Sequence, residues 1–316
     1  MNKHYHLIFR ENPLNIKNVT KNVPKTCMYP LKSATEVLAY KFEQATLLQQ
    51  KCCFENFLVE SFQLDTNVPF SIGYELLAPR IFFTFVAHND IAFTTGLNQP
   101  TVQVKAGHFY LSTELEGYYE VHCKAGKSVL IAVSVRPQWL MKVAKDYPIL
   151  NETVQHLLSS EAQFEVLPHC RIDRQIHQWL FEVRKFSHQN SFAEELYLSS
   201  RLVMGLAHYE ALLNSSTAGK VYRIKQYIMQ HYTNPELNLN DLLHNIGLEN
   251  RTAARWFKKI YGMTMRSYQM WIRLNKAHHL INSEQMSIRQ VIGKVGYLNA
   301  NSFRKAYRKF LAQKRD

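Results

Sequence analysis

Between residues 239 and 310 the chain passes twice through one pattern: a short apolar-periodic stretch, a glycine, then a helix-length stretch whose outer face is basic. The first pass is 239–246, Gly247, then 249–261. The second is 287–294, Gly296, then 299–310. Glycine at each turn admits the backbone that lets two helices meet closely. Ala253, Trp256, Phe257 and Ile260 recur at helical spacing in the first long stretch, and Phe303, Tyr307 and Phe310 in the second, so each offers one face to a core. Asn250, Arg251, Arg255 and Lys258 fall on the opposite face of the first, and Asn301, Arg304, Lys305 and Arg308 on that of the second. This is a helix-turn-helix pattern, repeated. Between the repeats, Tyr268, Trp271, Ile272, Leu274, Ala277, Leu280 and Ile281 predict one helix over 265–282, roughly 27 Å long at 1.5 Å per residue. With the width of the packed helices added, the motifs come near one turn of duplex DNA, about 34 Å. Gly262 is placed to close the first long helix and Asn299 to cap the last.

Charge is segregated in the same way. The net charge is +13; residues 215–316 hold 18 Lys and Arg against 5 Asp and Glu, and residues 1–214 hold 20 of each sign. A compact basic segment beside a neutral one points to a polyanion partner. A membrane surface fits less well, because the basic residues are interleaved with a core pattern rather than gathered in a tail. The longest apolar runs, such as 81–87, are too short to span a bilayer, and the opening MNKHYHLIFRENP lacks the apolar run of a signal peptide, so the expected location is the cytoplasm. The five cysteines, Cys27, Cys52, Cys53, Cys123 and Cys170, show no C-x-x-C spacing and read as reduced thiols.

The region before the basic segment reads as strands over about 36–135 and helices over about 137–213. Tyr119, Val121 and Cys123 alternate with polar residues, as do Val129, Ile131, Val133 and Val135; with KAGK at 124–127 between them, they predict a hairpin with one buried face. Residues 81–87 predict a continuous apolar strand, and Gly73, Gly96, Gly107 and Gly117 punctuate the region. Pro137 suits a helix start, a second piece follows near 149–160, and Ile172, Ile176, Trp179, Leu180, Val183 and Phe186 continue at helical spacing. SHQN at 187–190 breaks the period, and Phe192, Leu196, Val203, Leu206 and Leu213 resume it, which predicts two long helices in a hairpin. The stripe serves either as a cap on the strands or as a dimer interface through Leu196 and Val203. The expected architecture is α+β: residues 1–213 as a β-barrel or sandwich with a helical hairpin, 214–219 as an unstructured linker, and 220–316 as an all-α domain with two helix-turn-helix motifs.

The stretch GLENRTAARWFKKIYGMTMRSYQMWIRLNKAHHLI at 247–281 resembles the first half of the AraC/XylS-type DNA-binding domain: Phe257, Lys258, Lys259 and Gly262 match its aromatic-Lys-Lys-x-x-Gly signature, and Arg273 and Leu274 its linker-helix pair. Val295, Gly296 and Tyr297, then Phe303, Tyr307, Arg308 and Lys309, match its second motif. The resemblance covers about 220–311. It implies base contacts from Asn250, Arg251, Ala254 and Arg255, then from Ala300, Asn301, Arg304 and Lys305, with Lys258, Asn299, Arg308 and Lys309 beside them on the DNA-facing side. It also implies a sequence-specific regulator, expected to be an activator, with double-stranded DNA and RNA polymerase as partners and no cofactor. The chain departs from the family at Leu243 and Ile292, where small residues are usual, and at its end, LAQKRD, which lacks the family's Gly-x-x-Pro tail.

The order of strands, then helices, then DNA-binding domain is similar to the family's cupin-like sensor and dimerisation domains. By that analogy the protein is expected to be a homodimer, with a small-molecule effector of unidentified nature. Tyr74, Phe109, Tyr110 and Tyr118 either line an effector pocket or belong to the core. A metal-binding or catalytic cupin needs clustered His with a carboxylate. His88, His108 and His122 are scattered, and His4 and His6 fall in what reads as a loose terminus, so neither a metal site nor an enzyme is expected. The alternative reading is a cupin-type small-molecule binder or enzyme whose basic tail binds nucleic acid without specificity.

Overall fold

The computed structural model describes residues 5–95, 102–159, 164–187 and 191–313. His4, Gly96, Ser160, residues 188–190 of the SHQN break and residues 314–316 of the tail, all used in the sequence reading, lie outside the described residues. The chain divides into two compact units, Met1–Leu212 and Leu213–Asp316.

In the first unit the described strands form two antiparallel sheets. One runs in the order β1 (Tyr5–Phe9), β6 (Phe70–Leu76), β11 (Gly117–Cys123), β8 (Ile91–Thr95), β9 (Val102–Val104). The larger runs β13 (Phe164–Val166), β10 (His108–Glu114), β7 (Arg80–His88), β12 (Gly126–Val135), β5 (Phe57–Thr66), β4 (Ala45–Cys53), β3 (Glu36–Lys41), β2 (Asn15–Asn18), with β14 (Cys170–Arg171) also paired to β10. Period-two alternation directs Glu60, Phe62 and Leu64 of β5 and Ser128, Leu130 and Ala132 of β12 to one side, where they meet Ile72, Tyr74, Ile91, Phe93 and Val121 of the smaller sheet. The other face of the larger sheet is covered by helices. Phe83 and Phe85 lie 6.0 and 5.0 Å from Trp179, and Phe109 lies 5.4 Å from Tyr209, ring centre to ring centre. Residues 81–87 are apolar apart from Thr84, itself buried, because β7 is covered on both faces.

Three expectations change here. The strands begin at Tyr5, well before residue 36, and His6 is not in a loose terminus: it pairs with Glu75 across β1 and β6. The two strands flanking 124–127 are not a hairpin. β11 pairs with β6 and β8, whereas β12 pairs with β5 and β7, so the turn carries the chain from one sheet to the other. And β13 and β14 lie within the region read as purely helical.

The helices of this unit are α1 (Pro137–Val143), a short 3-10 turn (Ala144–Asp146), α2 (Pro148–Ser159), α3 (Arg174–Lys185) and α4 (Ser191–Ser215). Asp173 caps α3, accepting from the Ile176 amide at 2.9 Å. Glu210, buried on α4, accepts from the Ile149 and Leu150 amides at 2.9 and 3.1 Å and so satisfies buried donors that have no intrahelical partner at the start of α2. On α4 the buried hydrophobic side chains are Leu198, Leu202, Leu206, Tyr209 and Leu213, three or four residues apart; Leu196 is 56% exposed and Val203 half-buried. The stripe read from sequence thus mixes two faces.

The second unit contains α5 (Thr217–Gln230), α6 (Asn240–Asn245), α7 (Asn250–Tyr261), α8 (Met265–Asn282), α9 (Ile288–Lys294) and α10 (Ala300–Gln313). The segment 214–219 is not an unstructured linker. α4 continues to Ser215, and the Ser216 hydroxyl caps α5 by accepting from the Gly219 amide at 3.0 Å. Polar, small residues make good caps as readily as loops, and composition does not separate the two. No helix among the described residues is long and apolar enough to cross a membrane.

Candidate nucleic-acid interface

The second unit has two cores. Val221, Ile224, Ile228, Leu243, Ile246, Ala253, Phe257 and Tyr268 form the first, drawn from α5, α6, α7 and the start of α8. Leu274, Ala277, Leu280, Val291, Val295, Phe303 and Phe310 form the second, drawn from the end of α8, α9 and α10. Each is one helix-turn-helix motif, and α8 contributes to both. Bulky Leu243 is buried in the first core, and Ile292 packs on the second, so both departures from the family pattern are absorbed as packing volume.

Turn chemistry fixes each long helix. Gly247 and Gly296 take φ of +60° and +79°, in the left-handed region that a side chain disfavours. α7 ends at Gly262, also left-handed at φ +72°, whose amide reaches back to the Lys258 carbonyl at 2.9 Å. Ser287 and Gln290 form a capping box at the start of α9. The Asn299 carboxamide oxygen accepts from the Asn301 and Ser302 amides at 2.8 and 3.2 Å, so Asn299 is the cap of α10. Glu249 stands at the corresponding place before α7 but makes no side-chain cap bond.

With Ala253 and Phe257 buried, the geometry of α7 turns Asn250, Arg251, Ala254, Arg255 and Lys258 outward, and all five are exposed. On α10, burial of Phe303 and Phe310 turns out Ala300, Asn301, Arg304, Lys305, Arg308 and Lys309, again all exposed, with Asn299 just ahead of them. The Arg and Lys side chains among them form no ion pair with the described residues. Such an array satisfies what a duplex groove demands: cations for phosphates, and an amide or guanidinium near a helix start for base edges.

Some placements differ from the sequence reading. Ile260, read as facing the core, is exposed, and Trp271 on α8 is 49% exposed. Lys259 is held over the Trp256 ring, 4.4 Å from its centre. Sequence reasoning also missed Leu298, the turn residue before Asn299, which is 83% exposed. A bulky apolar residue beside the glycine turn was the available signal.

Arg273 has a structural place. Its Nε and Nη2 donate to the carbonyls of Tyr232 and Asn234 at 2.6 and 2.8 Å, and its guanidinium lies 5.6 Å from the centre of the Tyr297 ring. Gln269 donates to the same two carbonyls at 3.2 and 3.1 Å. The loop after α5 is therefore tied to α8 and lies beside the turn of the second motif.

In the first unit, Tyr74 and Tyr110 line a cavity between the sheets, Phe109 packs on the opposite face of its strand, and Tyr118 is exposed. His122 lies 2.8 Å from both Ser71 Oγ and Thr94 Oγ1, away from His88 and His108, neither of which shares its bonds. The five cysteines are free thiols; burial pushes Cys52 and Cys170 up to about 12 and Cys123 to about 11, which keeps those three protonated.

A sequence profile described as "Helix-turn-helix domain" matches residues 242–314. The Msm operon regulatory protein of Streptococcus mutans is 25% identical over 108 residues, covering 34% of this chain and 38% of that protein. The transcriptional activator RhaS of Escherichia coli is 22% identical over 165 residues, covering 49% of this chain and 59% of that protein. The chain thus spans between about two-fifths and three-fifths of the length of these relatives. Among solved structures, the apo form of a ToxT variant from Vibrio cholerae aligns over 81% of this chain and 94% of its own, at 11% identity and a TM-score of 0.34. Residues 242–314 of the second unit are thus a helix-turn-helix domain, preceded by a unit rich in antiparallel β-sheet.

Proposed function

We propose that this protein is a sequence-specific transcription regulator, acting as an activator, that inserts the recognition helices at about 249–261 and 299–310 into successive major grooves of double-stranded DNA. The observation that carries this reading is the repeated exposed face. Two helices, each backed by its own apolar core, present Arg, Lys and Asn side chains at the same spacing. A tail that bound nucleic acid only by charge would need no such register. Activation implies RNA polymerase as a further partner. The first unit would sense a small molecule and hold two copies together, with Leu196 and Val203 in the dimer contact.

Footprinting across the chain's own genomic neighbourhood tests the central reading. A protected site about two helical turns long is expected; uniform, unprotected ladders would leave only the non-specific basic tail. The dimer is tested by sedimentation at micromolar concentration: a dimer is expected for the unmodified chain and a monomer for Leu196→Asp. A wild-type monomer sinks the association.

A further inference from the structure

The face-to-face packing of the two sheets leaves a cavity of about 80 Å³. Its walls are mostly apolar: Leu7, Leu47, Phe62, Ile72, Phe93 and Leu130 are typical. Two carboxyls also line it, Glu60 at 2% exposure and Glu114 at 3%. Among the described lining residues there is no Lys, Arg or His.

A carboxyl buried without a cation is costly, and two lining one cavity doubly so. Their hydrogen bonds orient them without neutralising them. Tyr5 Oη donates to both oxygens of Glu60 at 2.6 Å, and Gln49 Nε2 donates to it at 3.0 Å. Tyr74 Oη donates to Glu114 at 2.8 Å and Ser112 Oγ at 3.0 Å. The Tyr5 and Tyr74 rings meet edge-on, 6.0 Å apart, so the two carboxyl clusters adjoin. The basic groups around them lie outside the cavity. Lys51 is paired with Glu36 at 3.8 Å, and Arg80, opposite Glu114 in the β7–β10 register, is not among the lining residues.

We infer that this cavity binds a small, largely apolar molecule with a primary amine head, the ammonium seated against Glu60 and Glu114 and the carbon body against the aromatic and aliphatic walls. The volume limits the body to a few carbons, since a dry apolar cavity of about 150 Å³ accommodates benzene. An anionic ligand would meet two buried acids and no base. The ammonium supplies the missing counter-charge, and charge-assisted hydrogen bonds are the strong kind. Burial holds both carboxyls at about 7, against the ordinary carboxylate range, so ligand and proton compete for the same oxygens.

This inference deepens the sensing role proposed above, and its test is read without DNA, so failure of one leaves the other standing. The full chain is titrated calorimetrically with isobutylamine, isobutanol and isobutyrate. The amine is expected to bind at least about tenfold more tightly than the alcohol, the worth of a hydrogen bond to a charged group. Isobutyrate should not bind. Between pH 6 and 8 the amine's affinity should rise as Glu60 and Glu114 ionise. Glu60→Gln and Glu114→Gln should each weaken the amine by about tenfold and leave the alcohol unchanged. Should either variant fail to fold, the three-probe comparison on the unmodified chain decides. Equal binding of amine and alcohol, no binding of the amine, or binding of isobutyrate would overturn the inference.

Discussion

In the first helix-turn-helix motif the turn glycine has room: a Cβ on Gly247 would meet nothing nearer than Lys220 Nζ, at 3.8 Å. In the second, a Cβ on Gly296 would fall 2.1 Å from the Thr233 carbonyl oxygen and 2.6 Å from its carbon. The motifs share turn conformation and basic outer face, yet only the second is pressed against the loop leaving α5. Arg273 and Gln269 hold that same loop from α8. The difference teaches how the two long helices of the motifs keep a fixed spacing. α8 sets the distance, and the contact of Gly296 with the 232–234 loop sets how the second motif is turned relative to the first.

The largest effect should come from breaking that contact. In the isolated fragment 213–316, Gly296→Ala should cost about 3 kcal/mol or more, because backbone must move as well as φ being strained. Gly247→Ala, with strain alone, should cost about 1–2 kcal/mol. Urea unfolding measures both, and equal losses would remove the distinction between the motifs.

A smaller asymmetry lies at the caps. Asn299→Ala should destabilise the fragment by about 1 kcal/mol through loss of the bonds to the Asn301 and Ser302 amides, whereas Glu249→Ala, which breaks no cap bond, should change it by no more than about 0.5 kcal/mol. Thermal melts of the two variants decide between this and equivalent caps. Smallest of all is Lys309→Ala, late on α10 where a phosphate is the expected neighbour. It should weaken specific and random DNA by similar factors and reduce the salt slope by about one. A loss confined to the specific site would make Lys309 a reader instead.

The second unit was far more legible in the sequence than the first. The predicted helix over 265–282 is α8 to the residue, and Gly262, Gly296 and Asn299 occupy the turn and cap positions their chemistry suggests. Helical structure is set by neighbours three and four residues away, so a local reading finds it. Sheet partners are set by residues far along the chain. Alternation correctly marked 119–123 and 129–135 as strands, but nothing local tells that they belong to different sheets. β1, five residues long, carried too little pattern to register. The cavity acids left a trace that passed unused: Glu60 shares period-two phase with Phe62 and Leu64, an acid on what was to become a buried face. Ile260 and Trp271 erred in the other direction, since helical spacing places an apolar residue near the core stripe without saying whether the core is wide enough to cover it.

That α7 and α10 read bases rather than only hold the backbone is tested most directly by competition binding of the 213–316 fragment against its footprinted site and a scrambled duplex. Arg255→Ala and Asn301→Ala are each expected to cost about 1–3 kcal/mol on the site and little on the scrambled DNA, since arginine pairs with guanine and an amide with adenine in the major groove. Asn301 does not cap its helix through its side chain; Asn299 does, so the substitution should leave the melting temperature nearly unchanged. Unaltered specific-to-random ratios in both variants would contradict the account.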